Sequence, residues 1–84
     1  MLMSMKVSLY GKADCCLCDE AKDVLERARR RVPFELELVD VAADAELLAR
    51  HGEEIPVVFI DGRKAFKYRV DEEDLVARLA RRAS

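Results

Sequence analysis

Apolar and polar residues change period several times along this chain, and each change marks an element. Val7-Ser8-Leu9-Tyr10 reads as a short strand that ends at Gly11. Leu17, Ala21, Val24, Leu25, Ala28 and Val32 then follow the i, i+3, i+4, i+7 spacing of one helical face, and Pro33 stops that helix. Phe34 to Asp40 alternates apolar and acidic residues, which predicts a half-buried strand. Asp44 suits the cap of a short helix over Ala45–Arg50, with Gly52 just beyond its end. The run Pro56-Val57-Val58-Phe59-Ile60 is too short for a helix and fits a central strand buried on both faces. Asp61-Gly62 is a hairpin signal. After it, Lys64, Phe66, Tyr68 and Val70 occupy one face of a last strand and Arg63, Ala65, Lys67 and Arg69 the other. Cations in such a position guard an edge strand against pairing with another sheet. Asp71 caps a final helix whose stripe is Leu75, Val76, Leu79 and Ala80.

The resulting order is β-α-β-α-β-β-α. A right-handed crossover makes the first two strands parallel, and the hairpin makes the last two antiparallel. The expected class is α/β, one four-stranded mixed sheet flanked by helices, with residues 1–84 forming a single domain. An 84-residue chain that is 51% hydrophobic and 38% charged is a globular chain, close to the lower size for an unstapled core. Its net charge of −2 gives no electrostatic footprint for nucleic acid. Arg27, Arg29, Arg30 and Arg31 crowd the end of the first helix, where they complement the helix dipole as solvated surface. No apolar stretch reaches the length that spans a bilayer. Met1 to Lys6 has neither the basic leader nor the apolar core of a signal peptide, so the expected address is cytoplasmic.

The chemistry concentrates in Cys15-Cys16-Leu17-Cys18, where all three cysteines fall within four residues. A cross-linking framework would spread them along the chain. In a helix, residues i and i+3 share a face, with Cα atoms roughly 5 Å apart, inside the disulfide range of about 4.4–6.8 Å. Adjacent Cα atoms lie only about 3.8 Å apart. Cys15 and Cys18 are therefore the redox pair, and Cys16 is the odd thiol. A Cys-x-x-Cys between a strand and a helix reads as a thioredoxin-like redox motif. His51 has no cysteine or second histidine at ligand spacing, and is expected as a surface residue at a helix end.

Tyr10-Gly11-Lys12 before the cysteines, the strand end Val39-Asp40-Val41 and the run Ile55 to Gly62 together resemble the glutaredoxin family, the minimal form of the thioredoxin fold. The resemblance runs from Lys6 to about Ala80. The absence of tryptophan separates the chain from ordinary thioredoxins. Glutaredoxins usually hold Pro-Tyr between the cysteines, where this chain has Cys16-Leu17, and Gly-Gly before the last helix, where it has Val70-Asp71. Asp74 matches a family aspartate. The chain thus resembles the divergent glutaredoxin-like proteins.

The resemblance implies an enzyme, a thiol–disulfide oxidoreductase in which Cys15 is the exposed nucleophile and Cys18 resolves the mixed disulfide. Lys12, three residues before Cys15, favours its thiolate, while Asp14, Asp19 and Glu20 oppose it. The Ile55-Pro56 bond is expected to be cis, presenting the Ile55 backbone to an extended substrate, with Tyr10 and Pro56 completing the binding residues. Disulfide-bearing proteins or glutathione mixed disulfides are the implied substrates of a monomer. No cofactor or metal is tightly bound; glutathione, another small thiol or a reductase supplies electrons, and no nucleic acid or membrane takes part. With a β-branched residue and a carboxylate in place of Gly-Gly, glutathione use is expected to be weak. The alternative is a binding module that carries zinc, copper(I) or an iron–sulfur cluster on Cys15, Cys16 and Cys18. A closed zinc site needs four ligands, so a cluster would have to be shared between two chains. A third reading is an inert partner-binding domain, against which the retained cysteine pair speaks.

Overall fold

The computed structural model describes residues 5–13 and 15–83. The expectations placed on Asp14 and on the leader at Met1–Ser4 lie outside the described residues. Strand β1 (Lys6–Gly11) leads to helix α1 (Cys16–Arg31), strand β2 (Glu35–Asp40), a single 3₁₀ turn and helix α2 (Ala45–His51). Strands β3 (Val57–Ile60) and β4 (Arg63–Lys67) form the hairpin, and helix α3 (Glu72–Ala83) closes the order. The sheet runs β2-β1-β3-β4, with β1 parallel to β2 and antiparallel to β3, and β3 antiparallel to β4. This is the expected mixed sheet, and β4 is an edge strand as its cations suggested.

Register decides which side chains meet. Val7 lies beside Leu36 and Ile60, and Leu9 beside Leu38 and Val58, so one sheet face gathers these apolar side chains. Leu25 and Ala28 of α1 and Leu75 and Leu79 of α3 cover that face, all four of them fully buried. At about 25 cal/mol per Å² of apolar surface, each such leucine contributes on the order of 2 kcal/mol. Gly62, at φ +85°, turns the hairpin in the left-handed region that glycine enters without strain.

Three details depart from the pattern. First, the last strand stops at Lys67 and not at Val70. A register shift opposite Val58 and Phe59 inserts one extra residue, so Ala65 and Phe66 both pack against the core. Second, the arginines of α1 are more than solvated surface. Arg27 meets Glu72 at 2.7 Å, and Arg31 meets Glu73 at 2.7 Å and Glu72 at 3.4 Å, tying α1 to the first turn of α3. Third, Leu38 is 53% exposed although it lies on the apolar face of β2. Among the described residues, no helix is long and apolar enough to cross a membrane.

Candidate active site

The end of β1 sets the site. Tyr10 pairs with Val57, so the segment before β3 and the loop after Gly11 emerge at the same end of the sheet. Cys15 is the N-cap of α1, and its sulfur accepts the backbone N–H of Cys18 at 3.3 Å. The Asp19 N–H bonds the Cys15 carbonyl at 3.2 Å and starts the helical ladder. A sulfur in this position occupies one of the amides that a helix leaves unpaired at its start. All three cysteines are free: Cys15 half-buried, Cys16 exposed, Cys18 buried.

Cys18 is the protected partner. Burial, then the hydrogen bond and charge of Cys15, push its thiol up to about 11, while the backbone N–H of Lys12 works in the other direction. Two of those upward causes belong to Cys15. They depend on the state of the Cys15 sulfur, so a change there alters the Cys18 thiol as well. Gly11 makes room for this sulfur. A Cβ there would stand 2.8 Å from Cys18 Sγ, too close for any side chain. Beside Cys18 opens a hollow of about 270 Å³ lined by Lys12, Lys22, Leu38 and Asp40, among others.

Lys12 therefore reaches the site by its backbone, directed at Cys18, and its side chain is exposed. The Ile55-Pro56 bond is cis, as expected. The Pro56 carbonyl accepts the Tyr68 N–H at 2.8 Å, and the Glu54 carbonyl accepts the same group at 3.3 Å. Between these two carbonyls, no described residue hydrogen-bonds the Ile55 N–H or C=O. Tyr10 directs its ring at Phe59, 4.9 Å away between centroids, and at His51, 5.4 Å away. His51 is thus no surface residue. It is half-buried against both rings, with Nδ1 inaccessible to solvent, because α2 ends over the sheet face that carries Tyr10 and Phe59.

Cys15, Cys16 and Cys18 do not converge. Among the described residues, no three His, Cys, Asp or Glu side chains stand together as a metal would require. Gly11 and Tyr68 are site residues that the sequence pattern did not mark, although the Gly-Lys step before the cysteines hints at the first.

A family model described as Glutaredoxin-like domain (DUF836) matches residues 6–80. An uncharacterized Mycobacterium tuberculosis protein, Rv0508, is 32% identical over 81 residues, covering 90% of this chain and 84% of its own. Protein Ne2328 of Nitrosomonas europaea, solved by NMR, superposes with a TM-score of 0.80 at 25% identity, over 94% of this chain and 95% of that one. Fasciola hepatica thioredoxin gives 0.62 at 22% identity, over 93% and 80%, a likeness of fold. The mixed sheet with its three helices is the thioredoxin fold.

Proposed function

Since the chain belongs to the glutaredoxin-like domain family, we propose that it is a small thiol–disulfide oxidoreductase working through the Cys15/Cys18 dithiol. The observation that carries this reading is the asymmetry of the pair: a half-buried Cys15 at a helix N-terminus, its sulfur bonded by the Cys18 N–H at 3.3 Å, and a buried thiol one turn further in. The Cys15 thiolate attacks a substrate disulfide, forming a mixed disulfide and releasing the first substrate sulfur as thiolate, which takes a proton from solvent. Cys18 then gives its proton to solvent and attacks the Cys15 sulfur. The second substrate thiolate leaves, and two electrons have passed from the dithiol to the substrate. A thiol donor reverses the change in the protein.

Cys16, exposed, has no part in this cycle. Two features support a donor other than glutathione. Val70 packs against the core where a glycine would leave space. Asp71 Oδ2 accepts the Asp74 N–H at 3.0 Å, using an α3 amide that an anionic ligand would otherwise take. A reducing cytoplasm, where such thiols are held ready, is the proposed setting.

Reduction of a protein disulfide by Cys15→Ser, Cys16→Ser and Cys18→Ser variants tests the assignment. Cys15→Ser is expected to be inactive. Cys18→Ser should stop at the mixed disulfide, and Cys16→Ser should turn over like the parent. Retained activity in Cys15→Ser, or its loss in Cys16→Ser, overturns the assignment.

A further inference from the structure

The β3–β4 hairpin turn and the last turns of α3 meet at the end of the sheet away from the cysteines. Strand β1 shows the separation: Val7, near its start, pairs with Ile60, while Tyr10 and Gly11, at its other end, lead to the cysteine turn. Ile60 and Ala65 line an open hollow there of about 290 Å³. The rest of its wall is Arg63 and Lys64 of β4 with Arg78, Arg81 and Arg82 of α3, and no carboxylate is part of it.

Five cations thus share one hollow in a chain of net charge −2. Carboxylates pair with three of them from outside the wall. Arg78 Nε donates to Asp74 Oδ1 at 3.2 Å. Arg82 donates to Asp61 Oδ2 from Nε at 3.0 Å and from a terminal nitrogen at 2.8 Å. Lys64 holds Glu54, which Lys67 also approaches at 4.0 Å. Arg78 lies over the Phe66 ring as well, 4.9 Å from its centroid. These contacts fix two guanidinium groups while occupying only one or two of the five N–H donors that each possesses. Arg63 is exposed, and its side chain has no partner among the described residues. Two ordinary roles cover parts of the cluster. Cations on β4 guard a sheet edge, and Arg81 and Arg82 complement the helix dipole. Neither role accounts for both sets sharing one concave wall, where like charges repel and the hollow concentrates their field.

We infer that this hollow binds a small soluble anion with clustered phosphates, either an inorganic phosphate chain or the phosphate chain of a nucleotide. Four arginines against one lysine favour that chemistry, because the guanidinium fork matches phosphate oxygens two at a time. The volume sits at the lower edge of the roughly 300–1,000 Å³ of small-molecule pockets, which suits a compact ligand. The site goes beyond the proposed dithiol activity and does not depend on it.

Calorimetric titration of the full chain with sodium tripolyphosphate at low ionic strength tests the inference. Saturable binding by the parent is expected. Arg63→Gln should weaken it about tenfold, the scale of one charge-assisted contact. Its urea midpoint should match the parent's, since the Arg63 side chain holds nothing in place. Arg50→Gln removes the same charge from the end of α2, where Arg50 pairs with Glu46 at 3.0 Å, and should bind like the parent. Adenosine triphosphate in place of tripolyphosphate separates the two sources. Equal affinity assigns the wall to the phosphates alone, and tighter binding of the nucleotide brings the nucleoside into the ligand. Absence of saturable binding, or binding that Arg63→Gln weakens no more than Arg50→Gln does, overturns the site. Tighter binding of a glutamate-rich peptide or a single-stranded RNA, lost in Arg63→Gln, overturns the assignment to a small ligand.

Discussion

Helix α1 serves two regions of opposite character. Its body, from Ala21 to Ala28, lies in a closed layer with α3 over the sheet, where Leu25, Leu75 and Leu79 are fully buried. Its first turn lies at an open end, with Cys15 half-buried, Cys16 and Leu17 exposed, and the cis-proline segment nearby. The closed layer has a dense apolar contact set and the Arg27/Arg31–Glu72/Glu73 cluster around it. The open end has polar backbone groups and sulfur. One rigid element can therefore hold the proposed nucleophile steady while its end stays open: the body is fixed by burial of one face, and the first turn lies at the open end.

That contrast is broken most severely from the closed side. Leu25→Ala removes a side chain with no exposure from the centre of the layer. A loss of about 3 kcal/mol is expected, a large part of the roughly 5–15 kcal/mol that a small domain has. Urea unfolding measures it. Under conditions where the variant remains folded, its disulfide reduction should match the parent's. A variant that is stable but inactive would show that the body of α1 tunes the cysteines as well as carrying them.

Gly11→Ala strikes the boundary between the two regions. The added methyl meets Cys18 Sγ at 2.8 Å and Cys18 Cβ at 3.1 Å, so Cys18, in the first turn of α1, must shift to admit it. Overpacking of this kind costs about 1–3 kcal/mol. Displacing the resolving sulfur should slow dithiol turnover by about tenfold or more, while leaving the first attack by Cys15 far less affected. Single-turnover formation and resolution of the mixed disulfide separates the two steps. Equal slowing of both would mean that Gly11 positions the whole turn and not Cys18 alone.

The two regions were not equally legible in the sequence. Elements of the closed layer announce themselves through local periodicity, so the helical stripes of α1 and α3 and the buried run at Val57–Ile60 matched their expected faces, except at the stripe ends Leu17 and Ala80, which are exposed. The caps at Asp44 and Asp71 were also readable, because each rests on a side chain and amides within three residues. What failed was tertiary. Alternation fixes the face a residue occupies but not whether anything covers it, and Leu38 lies on the apolar face yet opens on the hollow beside Cys18. The extra residue at Ala65 arises from the match between two strands, which neither strand encodes alone. Tyr68 looked like one more alternating residue until its N–H found the Pro56 carbonyl. His51 was placed by where α2 ends over the sheet. The cysteine pair itself was plain because its spacing is local, and the resemblance implied their order of exposure, although Cys15 is half-buried where it was expected exposed.

The smallest expected effect sharpens the comparison from the charged rim of the closed layer. The Arg27 guanidinium first, and Arg31 after it, hold the Glu72 carboxyl below its ordinary value of 4.5. A carboxylate whose pKa is depressed on folding stabilises the protein above its unfolded value, and that contribution is lost as the pH falls through the folded one. Acidification from neutral pH should therefore leave this contribution intact until about 4.5 and remove it below. Glu72→Gln keeps the shape and some hydrogen bonding but abolishes the charge. Its urea midpoint should lie slightly below the parent's at pH 7 and converge with it under acid, since solvent and salt screen a rim pair of this kind. Added salt should narrow the neutral-pH gap in the same way. Disulfide reduction should be unchanged, because Glu72 braces α1 near Arg27 and Arg31, more than two turns from Cys15. A midpoint gap that persisted at low pH would mean that the side chain acts by packing and not by charge. A drop in activity would mean that the closed layer reaches the cysteines electrostatically, and the separation of the two regions would have to be given up.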